Sequence, residues 1–142
     1  MRNIWMLPLL LLALPVAAQK RGAGPELGDP KALVRSKLEA YRSANGGVFT
    51  DEDSVLRLTL PGDTPDRTVH FAYLFDGRAR LRAYSYSGCV PCIGQYRTGI
   101  LNDKKEGWRQ RNDSTWHAAR GRKVLRWQQG ASGPFFTVER AQ

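Results

Sequence analysis

Cysteine, histidine and acidic side chains are scarce in this chain, and each scarcity excludes something. Two cysteines and two histidines in 142 residues rule out a disulfide-stapled miniprotein, so the core must come from apolar burial. His70 and His117 lie far apart, without the short ligand spacings of zinc fingers, and no metal site is assigned. There is no glycine-rich phosphate loop, no Ser/His/Asp arrangement in a motif context and no pair of carboxylates at a recognisable spacing. No catalytic residue and no cofactor are therefore expected, and the balance is against an enzyme. Asp51-Glu52-Asp53 lacks the glycine and the distal glutamate of a calcium loop and reads as a turn into a strand. No internal repeat is visible.

Long apolar runs are absent except at the start. Arg2 precedes the apolar stretch Ile4 to Leu14, broken only by Pro8, and Pro15 is followed by Val16-Ala17-Ala18. A basic start, an apolar stretch of roughly 7–15 residues and a small-residue exit make a secretory signal. A spanning anchor would need about 20 apolar residues, and no cysteine follows for lipid attachment. Residues 1–18 are thus expected as a signal peptide, with a mature start at Gln19 and export to the periplasm or the extracellular space. No later segment is long and apolar enough to span a bilayer. Residues 19–28 read as a flexible leader and 29–142 as a single domain.

What is plentiful is arginine. The formal net charge is +9, and it is unevenly spread. Residues 19–76 carry 8 basic and 9 acidic side chains, whereas residues 77–142 carry 13 and 4. Such an excess attracts phosphate, polyanionic glycan or anionic headgroups; it equally serves as plain solubilising charge.

Asp29 is a good N-cap and Pro30 suits the first helical position. Leu33, Val34, Leu38 and Tyr41 follow at helical spacing, and Gly46-Gly47 ends the helix. The period then changes to two. Strands are expected at Ser54–Leu60, Thr68–Phe75, Arg78–Ser87, Gln95–Leu101, Trp108–Arg111, Ser114–Ala118, Lys123–Gln128 and Phe135–Glu139, with turn residues between them. Asp76-Gly77 is a strong two-residue hairpin signal. It pairs Phe75 with Arg78, Tyr73 with Arg80 and Phe71 with Arg82. The expected fold is α+β, mostly β: one N-terminal helix, then an antiparallel meander forming a curved sheet or small barrel, which equally suits a cystatin-like or similar curved-sheet fold.

Cys89-Val90-Pro91-Cys92 resembles, over these four residues, the active-site motif of thioredoxin-like proteins. In that family the first cysteine caps a helix that lowers its thiol pKa. Here Ile93 to Gly99 holds two glycines and alternating β-type residues, so a strand is expected instead, with a structural Cys89–Cys92 disulfide closing a tight turn. The predicted hairpin register lines up Arg78, Arg80, Arg82, Tyr84 and Tyr86, and Arg120, Arg122 and Lys123 add charge from a later turn. An arginine-aromatic face of this kind binds anions, sugars or single-stranded nucleic acid, and its arginines can equally serve as edge-strand charges that block aggregation. Export argues against nucleic acid, leaving a polyanion or envelope component as the expected partner. Two functions follow: an exported, non-enzymatic binding module acting through its basic, aromatic second half, or a thiol-disulfide or metal-handling protein acting through Cys89 and Cys92.

Overall fold

The computed structural model describes residues 24–142; the expected signal segment and residues 19–23 lie outside the described residues. Eight antiparallel strands form one open sheet: β1 (Val48–Asp51), β2 (Val55–Leu60), β3 (Val69–Phe75), β4 (Leu81–Gly88), β5 (Trp108–Asn112), β6 (Thr115–Ala118), β7 (Lys123–Gly130) and β8 (Gly133–Arg140). Helix α1 is Lys31–Asn45 and helix α2 is Val90–Leu101. The spatial order β1-β2-β3-β4-β8-β7-β6-β5 leaves β1 and β5 as edges, so the expected alternative of a small barrel does not form.

The order is two four-stranded meanders joined edge to edge. After β4 the chain does not turn back at once. It runs through α2 to the far edge, and β5 to β8 then return until β8 pairs with β4.

Paired residues share a face, and the registers string one apolar row across almost the whole sheet: Phe49–Leu58–Phe71–Tyr86–Phe136–Trp127. A second row runs Leu56–Tyr73–Tyr84–Val138–Leu125–Trp116. Val34 and Leu38 of α1 and Ile93 of α2 belong to the same buried cluster. The other face carries Arg57, Ala72, Ser85, Thr137 and Arg126 in one row.

Helix α1 begins one residue later than its capping signal indicates. Pro30 holds the extended N-cap conformation, and the Asp29 carboxylate instead accepts from Glu26 N–H at 3.0 Å and from Lys37 Nζ at 3.2 Å. Only Val34 and Leu38 of the expected apolar face are buried; Leu33 and Tyr41 are exposed. The end matches expectation: Gly46 N–H donates to Arg42 O at 2.7 Å. Lys31 and Arg35 reach Asp51 at 2.9 and 2.8 Å, and Lys31 also donates to Glu52 O and Asp53 O. The acidic stretch therefore ends β1 and enters the β1–β2 turn, held against α1. Residues 24–28 of the expected flexible leader are fastened: Gly28 N–H donates to Leu81 O at 2.7 Å, and Lys37 Nζ donates to Gly24 O.

Two further expectations fail. The segment Gln95–Leu101 is helical, part of α2. Alternation was the wrong period: Ile93, Tyr96, Ile100 and Leu101, all in the core or packed on it, lie at i, i+3, i+7 and i+8, a helical stripe. Cys89 is the N-cap, its Sγ accepting from Cys92 N–H at 3.2 Å, and Pro91 sits in the first turn where no hydrogen bond is lost.

The β3–β4 turn is also longer than two residues. Asp76 Oδ1 accepts from Arg78 N–H at 2.8 Å and Arg80 N–H at 3.0 Å, while Asp76 N–H donates to Arg80 O. Phe75 therefore pairs with Leu81, Tyr73 with Tyr84 and Phe71 with Tyr86, with a bulge beside Leu74. The side chain of Asp76 sets the turn here, by the local competition that Asp is suited to.

Candidate functional site

The corrected register places tyrosine, not arginine, opposite the aromatic face of β3. Tyr84 and Tyr86 join Tyr73 on the helix-covered side, Tyr41 comes from α1 and Tyr96 from α2. All five tyrosines of the chain border two adjoining hollows there. The smaller, about 120 Å³, lies between α1 and the sheet and is walled by Tyr41, Tyr73, Tyr86, Tyr96, Phe71 and Leu38. The larger, about 630 Å³, lies beside α2 and shares Tyr86, Tyr96, Gly24 and Pro25 with the first.

The rings touch in a chain. Phe71 and Tyr86 meet edge-on at 4.6 Å between centroids, Tyr84 and Tyr86 lie at 5.5 Å, and Tyr86 and Tyr96 at 5.6 Å. The Tyr73 and Tyr86 hydroxyls approach to 3.4 Å. Burial pushes the phenols of Tyr73, Tyr84 and Tyr86 far above their ordinary range, and that of Tyr96 up to about 12. These phenols remain neutral at physiological pH, so each can donate and accept a hydrogen bond. The larger hollow is also bordered by Trp108, whose buried Nε1–H has no acceptor among the described residues. The Lys123–Glu106 ion pair, 2.7 Å, closes its far side.

Helix α2 is pinned over the second meander by Arg97, whose guanidinium lies 4.3 Å from the Trp127 ring and 5.4 Å from that of Trp116. Contacts of this kind stabilise by about 0.5–2 kcal/mol. They fix the side of the cleft that Tyr96 presents.

The residues expected to form one basic face are dispersed. Arg78 and Arg80 lie in the β3–β4 turn, where Arg80 Nη1 donates to Gly28 O at 3.3 Å, and Arg82 is exposed in β4. No evenly spaced arginine row forms. Tyr84, Tyr86 and Lys123 are at the cleft; Arg120 and Arg122 are exposed around the β6–β7 turn. Sequence reasoning missed Tyr41, Tyr96 and Trp108 as partners of this cleft. The helical stripe containing Tyr96 was the one signal that could have found it.

Cys89 and Cys92 are bonded to each other. Cys89 is only 1% exposed, and Cys92 is half-buried against the core. The objection that no helix follows the pair is overturned, since α2 starts there. His70 is exposed on the other face, 3.1 Å from Thr59 Oγ1. Among the described residues no three His, Cys, Asp or Glu side chains cluster as metal ligands would.

Fold and cleft together define a small open-sheet α+β protein with an aromatic hollow under two helices. No protein-family model, no curated protein and no solved structure matches the chain.

Proposed function

We propose that this is an exported, non-enzymatic binding module that takes a small ring-bearing amphipathic ligand into the tyrosine cleft. The convergence of all five tyrosines on that cleft carries the reading. Aromatic walls with a few placed polar groups are the usual make-up of a ligand pocket. Neutral phenols supply the polar groups, ring faces supply apolar contact, and Trp108 Nε1–H offers a donor that the described protein leaves unmatched.

Anilinonaphthalene sulfonate, an amphipathic aromatic dye, serves as the probe. Saturable binding is expected, weakened at least several-fold by Tyr41→Ala and Tyr96→Ala, both at the rim. Dye binding unchanged in both variants, or no saturable binding, would sink the reading. Export is checked separately: mass spectrometry of secreted protein should find Gln19 at the N-terminus, and an intact Met1 would refute it.

A second reading, thiol-disulfide exchange, is favoured by one observation: Cys89 caps α2. An attacking thiolate would have to reach Cys92 Sγ, form a mixed disulfide there and release Cys89 as a thiolate at the helix N-terminus, where it is stabilised. A reduction potential below about −300 mV marks the bond as structural and removes this reading; one near −200 mV supports it.

A further inference from the structure

On the face opposite the tyrosine cleft, four basic side chains meet at a concavity of about 450 Å³. Arg109 is on β5 and its cross-strand partner is His117 of β6. Arg111 occupies the irregularity in β5 between Gln110 and Asn112. Arg122 comes from the turn before β7, with a backbone φ of 49°. The rest of the wall is Ala118, Ala119 and the last two residues, 141–142, and no Asp or Glu side chain lines it.

Two nearby cations are neutralised, Lys123 by Glu106 and Arg126 by Glu139, whereas Arg120 and Arg140, unpaired among the described residues, add further positive charge around the hollow. Arg109, Arg111 and Arg122 form no ion pair among the described residues. Edge-strand protection accounts for arginines on β5, but not for Arg122 and His117 being gathered to the same hollow from two other segments. Three guanidinium groups that make no close ion pair around one concavity repel one another, and an anion placed between them lowers that cost. Guanidinium forks match tetrahedral oxyanions in geometry as well as in charge.

We propose that the hollow of Arg109, Arg111, His117 and Arg122 is a binding site for a phosphate-type oxyanion. It is independent of the tyrosine cleft and is not made of the hairpin arginines. The oxyanion can be a free phosphate compound or a phosphomonoester headgroup on a lipid surface; the chemistry at the guanidinium groups is the same.

The test is calorimetric titration with inorganic pyrophosphate, and co-sedimentation with vesicles containing phosphatidic acid, both at about 0.1 M salt, where screening acts over about 10 Å. The variant Arg109→Gln, Arg111→Gln, Arg122→Gln alters three exposed side chains, and circular dichroism verifies that it folds. Binding should fall about tenfold or more in this variant. The charge-matched control Arg78→Gln, Arg80→Gln, Arg82→Gln should lose less than about twofold. Pyrophosphate binding with that dependence supports the site with a free ligand as source; vesicle binding alone, with the same dependence, supports it with a headgroup. Equal loss in both variants, loss confined to the hairpin variant, retention on heparin without pyrophosphate or vesicle binding, or no saturable binding would each overturn the site.

Discussion

Raising the pH should unfold this protein cooperatively, driven by the phenols of its tyrosine cleft. Burial raises the phenol pKa values of Tyr73, Tyr84 and Tyr86 far above the ordinary value of 10.0. Below about pH 10 both the native and unfolded chains hold these protons, and the stability they confer is fully present. Above it the unfolded chain releases protons that the native cleft retains. The unfolded state then binds fewer protons, so stability falls as pH rises and is lost on the way to the native-state pKa values. Each retained proton contributes a slope of about 1.4 kcal/mol per pH unit, so three give about 4 kcal/mol per unit. A domain stable by about 5–15 kcal/mol should then unfold cooperatively within a few units above pH 10. Ultraviolet absorbance of phenolate and far-ultraviolet circular dichroism, followed together, make the check. The phenolate signal of Tyr73, which is buried, and of the half-buried Tyr84 and Tyr86 should rise with the loss of secondary structure, not before it. If more than two of the five tyrosines ionise reversibly below about pH 11 with the dichroism unchanged, the cleft is wetter than described and the reasoning fails.

Three further outcomes test the packing. Phe136 is fully buried where the two meanders join, edge-on to Tyr86 at 5.0 Å. Phe136→Ala should cost about 3–5 kcal/mol in denaturant melts and leave one transition; two separate transitions would show that the meanders do not share a core. Gly94 and Gly99 lie in α2, and a Cβ at either would meet nothing within 4 Å. Gly94→Ala and Gly99→Ala should each stabilise by about 0.5–1 kcal/mol, whereas a fall in melting temperature in both would speak against this helix. Replacing Cys89 and Cys92 together by Ser should cost at most about 2 kcal/mol, because so short a loop gains little from closure and Ser at position 89 remains a good N-cap; complete loss of folding would contradict this.

The sequence determined much of what depends on near neighbours. Period-two alternation with turn residues between the runs located seven of the strands to within a few residues, and two cysteines three positions apart were legible as a disulfide. Glycines 46 and 47 marked the end of α1 because the backbone there takes positive φ, 76° and 109°, which other residues rarely adopt. Only the tertiary structure decided the rest. The β3–β4 register turned on one carboxylate: Asp76 binds two backbone N–H groups, and the longer turn exchanges arginine for tyrosine opposite Phe71 and Tyr73. Ile93 to Leu101 fits both periods over so short a span, and packing against the sheet selects the helical one. Strand order, and with it the meeting of Tyr41, Tyr73, Tyr84, Tyr86 and Tyr96, or of Arg109, His117 and Arg122, depends on contacts between residues far apart in the chain. Local propensity carries no information about such contacts; burying one continuous apolar face does.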